Sequence, residues 1–307
     1  MPMTDDFSTI WLRLSSLQFQ YLAPYFVLLL VHFIAEPLRW TVYMATLREA
    51  PRSVTLFHVF NLGSLLSLLM PLKLGFPARV FLLKKTLGLK LNTAIGTLVL
   101  DGLMYNGVWA LFAVVSLLFG ATRYKPADFA GGIWLALAFM LVLIAVWNIR
   151  RRKRATASSP SIWSRLGAHI KRMPEIVRDM GLRTVVLSLC MMCADVLINA
   201  VFHWTLLRVV GVELSPVVVL IATSIAMLAG IVSLLPSGLG GYDVTLIVLL
   251  TGFGVPAKIA VLVPILNRIG ILLMAIVLGV TGGIALRLNP FSRGWLEQRT
   301  DVENSDA

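Results

Sequence analysis

Asp195, Asn199 and His203 recur at every fourth position of one apolar run, so a helix there would align an acid, an amide and an imidazole on a single face. Such groups are costly in hydrocarbon unless paired or wetted, which makes them candidates for a substrate pathway. Hydrogen-bonded glue between helices is the other role open to them, and His203, near its helix end, could also be interfacial. Asp101, Asn267 and Arg268 also interrupt apolar runs, and Asp243 follows a Gly-rich turn. Asp101 and Arg268 have opposite signs, so they are expected either to pair or to find separate partners among backbone and headgroups. Lys73 and Arg79 flank another Gly turn, where a guanidinium fork and nearby backbone donors suit a lipid phosphate, unless both serve only as topology anchors.

None of this is soluble enzyme chemistry. The chain has no HExxH, no Walker loop and no GxSxG in a strand-turn-helix context, and its four His are dispersed. Cys190 and Cys193 lie inside an apolar run and read as packing residues. The expectation is a non-enzyme with no metal and no cofactor.

The elements that must position these residues follow from composition. The chain is 58% hydrophobic and 14% charged, with mean hydropathy +0.85, too apolar for a water-soluble domain. Several runs approach the roughly 20 apolar residues that cross a hydrocarbon core. Backbone groups there must be satisfied internally, and continuous rather than alternating apolar runs select helices over a barrel. The fold expected is an all-α integral membrane protein with crossings near 21–47, 55–72, 93–119, 130–149, 184–207, 215–235 and 257–287. Residues 1–20 form a surface segment without signal-peptide features, 21–149 a first membrane half, 150–183 a basic loop, 184–287 a second membrane half and 288–307 a polar tail. Glu36-Pro37 predicts a kink in the first crossing.

The net charge of +12 is concentrated in short loops beside apolar runs, which marks membrane orientation and lipid contact rather than nucleic-acid binding. Lys73, Arg79, Lys84, Lys85 and Lys90 crowd one loop; Arg150 to Arg154, Arg165, Lys171 and Arg172 crowd another. Both are expected to be cytoplasmic. With seven crossings the N-terminus then lies inside, and the loops near Pro51, Lys125 and Gly211 face outward. Ile162, Trp163, Leu166, Ile170, Met173 and Val177 alternate with basic residues at helical spacing, as in an amphipathic helix on anionic headgroups, with a kink at Pro174; a solvated connector is the plainer reading.

An internal self-similarity links LLMPLKLGFPARVFLLKKTLGLKLNTAI with SLLPSGLGGYDVTLIVLLTGFGVPAKIA. Pro71, Leu74, Gly75 and Gly88 of the first answer Pro236, Leu239, Gly240 and Gly254 of the second, where Gly238 adds a further turn glycine. Beyond the second Gly each passes an alanine (Ala94, Ala260) to reach a polar intrahelical residue, Asp101 or Asn267. Each unit therefore reads as a helix, a Pro/Gly turn, a short apolar segment, a Gly break and a long helix. Phe76–Leu87 and Tyr242–Phe253 are too short to cross and are candidate re-entrant half-helices. Paired interrupted segments of this kind point to a transporter's substrate site. Loop charges favour a parallel repeat, and an inverted one stays open.

At PLRW (Arg39, Trp40), LLMPLKLGFPAR and LLPSGLGGYD, continuing through Gly254-Val255-Pro256 to Asn267-Arg268, the chain resembles the lysylphosphatidylglycerol synthase transmembrane-region family over nearly its whole length. It departs from the family pattern at Phe76, where an acid is customary, and at Asp101-Gly102, where Glu-Arg is usual. PLRW also lies in the first apolar run rather than the second. The resemblance implies a flippase-like membrane domain that handles a phospholipid or isoprenoid-type lipid in a bacterial or archaeal plasma membrane. It does not imply synthase activity, which belongs to a soluble transferase domain. The implied partners are membrane lipids with anionic headgroups. The alternative is a non-transporting scaffold or accessory subunit of a cell-envelope enzyme.

Overall fold

The computed structural model describes residues 18–46, 53–69, 75–89, 91–123, 162–233 and 240–287. A short turn, Phe19–Tyr21, leads into α1 (Leu22–Thr46), followed by α2 (Ser53–Leu69), α3 (Gly75–Leu87), α4 (Leu91–Arg123), α5 (Ile162–Val209), α6 (Pro216–Val232), α7 (Gly241–Gly252) and α8 (Ala257–Ala285). The described residues contain no strand. Among the described residues, four stretches are long and apolar enough to cross a membrane: Phe19–Met44, Thr93–Leu118, Gly181–Val209 and Ala257–Ala285. Val54–Leu69 and Pro216–Val232, expected to be crossings, are shorter, as is Gly241–Gly252. The expected crossing at 130–149 lies outside the described residues, so the count of seven is not reached among them.

Local chemistry sets the boundaries. Gly88 (φ 67°) and Gly254 (φ 86°) take left-handed conformations at matching junctions, α3 to α4 and α7 to α8. Gly88 N–H donates to Lys84 O, and Gly254 N–H to Thr251 O, satisfying carbonyls that a helix end would otherwise leave open. Pro216 opens α6 at a position where its missing N–H costs nothing. The chain is helical through Pro37 and Pro174; within α5 the non-helical residue is Gly181 (φ 76°, ψ 150°). The break between the 162–180 segment and the crossing part of α5 therefore falls at Gly181, a residue free of the Cβ clash at positive φ, and not at the expected Pro174.

The packing of the helices is reciprocal. α2 packs on α8 and α4 on α6; α2 packs on α3 and α6 on α7; α1 packs on α2 and α5 on α6; and α1 packs on α5. Exchanging α1–α4 with α5–α8 leaves this pattern unchanged, as expected of a duplicated unit. The halves run in opposite directions. Gln18 N–H donates to Val209 O (3.0 Å), the Tyr25 and Phe202 rings are 6.0 Å apart, and His32 meets Asp195. Numbering thus rises along α1 as it falls along α5, so the two are antiparallel and the repeat is inverted.

A large hydrophobic core sits toward each end of the bundle. One joins Trp40, Met44, Leu56, Leu83, Leu89 and Ala94, with Leu286 against it; the other joins Leu29, Leu206, Val219, Leu249, Val255 and Ala260. The α2–α3 hairpin therefore starts and finishes at the end where α1 stops and α5 begins, and α6–α7 starts and finishes at the opposite end. This overturns part of the expected topology. α1 stops and α2 starts at the same end as Leu89, so these two helix ends, expected on the outer side, share a side with the Lys84 turn. The N-terminal end of α1 lies on the other side. Counting α2 as a full crossing, when it is one arm of a returning hairpin, caused the error.

Glycines permit close backbone approaches both between the halves and within one of them. A Cβ on Gly282 would lie 2.8 Å from His58 O, and one on Gly241 would lie 2.7 Å from Ala229 O. Only glycine permits these backbone approaches between α8 and α2 and within the second hairpin.

Candidate functional site

α1 presents Tyr25, His32, Glu36, Arg39 and Tyr43 at spacings of seven, four, three and four, which is one helical stripe. Every one of them meets a polar residue of another helix. Tyr25 OH donates to Asn267 Oδ1 (3.3 Å) on α8. His32 Nδ1 lies 2.7 Å from Asp195 Oδ1 on α5, and Tyr105 OH of α4 donates to the other Asp195 oxygen (2.8 Å). Glu36 accepts from Arg79 of α3 at 2.5 Å. Arg39 grips Asp101 of α4 with Nε (2.6 Å) and Nη2 (2.9 Å), and Tyr43 OH adds a third bond at 3.0 Å.

Of the four Arg-carboxylate pairs among the described residues, Arg208–Glu213 lies at a helix end, and the three within the bundle differ in access. Arg39 and Asp101 expose 3% and 7% of their side chains, so this pair, with Arg39 also over the Tyr105 ring at 5.3 Å, is sealed and structural. Arg79 and Glu36 expose 19% and 31%, and Arg268 and Asp243 expose 30% and 19%, so both pairs are only partly buried. These two pairs occupy related places, because Arg79 and Asp243 each lie near the start of the return helix of a hairpin. Arg79 is further held by Ser64 Oγ (2.8 Å) and the Phe60 face (5.4 Å), while its Nε is buried without a partner. Asp243 accepts from Arg268 Nε (2.9 Å) and Nη2 (2.6 Å) and from the N–H of Gly240 (3.1 Å), whose φ of 83° opens α7.

Sequence reasoning singled out Arg79, Asp101, Asp195, Asp243, Asn267 and Arg268 and left their partners open. Asp101 and Arg268 do not meet each other; Asp101 is taken by Arg39 and Arg268 by Asp243. The Asp195, Asn199 and His203 stripe is buried, but it is divided between two sites. Asp195 belongs with His32 and Tyr105. His203 Nδ1 faces Asn199 O (2.8 Å), which can only accept, so Nδ1 carries the proton and Nε2 accepts from Tyr242 OH (2.6 Å). Its burial excludes an interfacial position for His203. Asn267 is the counterpart of Asp101, and each is bonded to α1. Lys73, Pro71, Pro236 and Gly238 lie outside the described residues, whereas Gly75, Gly88, Gly240 and Gly254 stand at helix starts and breaks.

The omission was α1. Glu36 was read only as part of a kink, yet His32, Glu36 and Arg39 are three ionisable residues on one face of an apolar helix, the signal already applied to Asp195. Another unread signal is Arg39-Trp40-Thr41 against His203-Trp204-Thr205, which extends the repeat back into α1 and α5.

Among the described residues no cluster of His, Cys, Asp and Glu could hold a metal. The arrangement suits reversible binding of charged groups: two partly open Arg-carboxylate pairs, one in each half, beside a third that locks α1 to α4. A family model described as the lysylphosphatidylglycerol synthase TM region matches residues 3–279. No curated protein and no solved structure matches the chain.

Proposed function

The chain belongs to the lysylphosphatidylglycerol synthase TM-region family, and from that premise we propose that it is a flippase-like protein that binds an amphiphilic lipid and moves it across the membrane. The observation that carries the reading is the pair of oppositely directed hairpins, each presenting a partly exposed Arg-carboxylate pair near its tip. Oppositely directed broken elements within one bundle are how many transporters build a site reachable alternately from the two sides. A headgroup phosphate is bound bidentately by Arg79 or Arg268 when the internal carboxylate yields it, and any cationic part of the headgroup takes that carboxylate. Because the ion pairs re-form as the lipid leaves, neither charge is left unpaired at either end of the cycle.

The orientation follows from charge. Lys84, Lys85, Arg183 and Arg287 gather at the end where α3 and α8 stop and α5 enters; the opposite end carries Lys258 and an Arg208–Glu213 pair. The first end is the cytoplasmic one. The plasma membrane of a bacterium or archaeon is the setting that fits such a protein. The chain's role is lipid handling rather than catalysis.

The test is a leaflet-resolved lipid transport assay in proteoliposomes with wild-type protein and Asp243→Asn. Transport of an anionic lipid that falls in the variant supports the reading. No movement of any lipid by folded wild-type protein would refute it and favour a scaffold or accessory subunit.

A further inference from the structure

Four carboxylates lie among the described side chains within the bundle: Glu36, Asp101, Asp195 and Asp243. Three are matched by arginines, which stay charged at any physiological pH. The fourth, Asp195, is matched by His32 alone. Both Asp195 oxygens accept hydrogen bonds, one from His32 Nδ1 and one from Tyr105 OH. With the three arginines committed, the cluster is neutral when His32 is an imidazolium and carries one negative charge when it is not. Imidazole is the side chain whose ordinary titration falls in the physiological range.

We propose that His32, held on Asp195 and Tyr105, is a proton-binding site that couples lipid movement to the transmembrane proton gradient. The idea rests on the transport reading and supplies its energy source. The chemistry balances: a proton from one aqueous side binds Nε2 of His32 and the same proton leaves to the other side, while Nδ1–H donates to Asp195 throughout. The His32 side chain is 27% exposed, so the ring is not sealed as Arg39 and Asp101 are.

The coupling path is short. Glu36 lies one helical turn along α1 from His32 and holds Arg79 of the first hairpin. Neutral His32 leaves the Asp195 charge unbalanced near Glu36, which raises the local negative charge and tightens the grip on Arg79; protonation relaxes it and frees Arg79 for a headgroup. The other ionisable groups around His32 are already engaged. On α1, Arg39 holds Asp101 of α4; Tyr105 of α4 is bonded to Asp195; on α5, His203 has both ring nitrogens occupied; and Arg268 of α8 is paired with Asp243 of α7. On α2 the remaining titratable group is His58, at the Gly282 contact.

The experiment uses full-length protein in proteoliposomes of mixed zwitterionic and anionic phospholipid, with labelled anionic lipid and a pH dye inside, and compares wild type with His32→Lys and His32→Gln. His32→Lys keeps a cation against Asp195 and so preserves the fold, but it holds its proton permanently. Wild-type lipid movement should accelerate severalfold under an imposed pH difference and carry protons with it. In His32→Lys the ratio of rates with and without the gradient should fall to unity, with proton flux lost. If wild type moves lipid at the same rate with and without the gradient and no proton flux accompanies it, the coupling is overturned while the transport reading stands. If His32→Lys retains the gradient response, His32 is not the site. If wild type moves no lipid under either condition, the transport reading fails and takes this one with it.

Discussion

Replacing Asp101 with alanine gives the sharpest test of how the interior charges are held. The carboxylate takes two hydrogen bonds from Arg39 and one from Tyr43, with almost no exposed area on either charged partner. If these acted as ordinary hydrogen bonds inside a membrane, at about 0.6 kcal/mol each, the loss would total about 2 kcal/mol. If instead the pair is a sealed ion pair, removing one member strands the Arg39 guanidinium, and the cost is about 3–5 kcal/mol. The two estimates are far enough apart to separate by equilibrium unfolding in mixed micelles. The double variant Arg39→Met/Asp101→Leu completes the test, because removing both charges with similar volume should recover most of the loss. A cost for Asp101→Ala of about 2 kcal/mol or less, or a double variant as unstable as the single one, would refute the view that this pair locks α1 to α4.

Further outcomes follow from the same geometry. In a background lacking Cys190 and Cys193, Lys85→Cys should label with an impermeant thiol reagent from the cytoplasmic side and Glu213→Cys from the outside; the same side for both would break the inverted arrangement. Gly282→Ala should destabilise by about 1–3 kcal/mol in thermal unfolding, because its Cβ would press on His58 backbone oxygen, whereas Gly283→Ala, with 3.8 Å to Leu62 Cδ1, should be close to neutral. Arg79→Lys keeps the charge but loses the fork, so affinity for a labelled anionic lipid should weaken by about 1.5–3 kcal/mol with orientation unchanged; equal affinities would leave Arg79 without a headgroup role.

Much of the helical layout was legible in the linear chain, because apolar length and the turn preferences of Gly and Pro act locally. The segment 76–87 was expected as a short helix and is the body of α3, ending at Gly88; 242–253 corresponds to α7, ending before Gly254. The polar positions stood out for a similar reason: an Asp or Arg in an apolar run is conspicuous whatever it touches. Their partners were not legible. Asp101 lies far along the chain from Arg39, and Asp243 much closer to Arg268, yet both contacts depend on which helix faces sit together, and helical periodicity gives a face without naming its neighbour.

The direction of the repeat shows the division most clearly. The sequence alone determined a helical membrane protein and the membership that its motifs suggested, and it pointed to a repeated Pro/Gly unit, since each depends on composition or on residues close in the chain. Whether the second unit runs with or against the first depends on how many times the chain passes through the bundle. A hairpin arm such as α2 and a crossing helix have nearly the same composition and differ chiefly in what they pack against. Only the tertiary contacts, Gln18 with Val209, Tyr25 with Phe202 and His32 with Asp195, decided that α1 and α5 are antiparallel. The same contacts made α1 the helix that gathers the charges of both halves, because packing brings together side chains that the chain itself keeps apart.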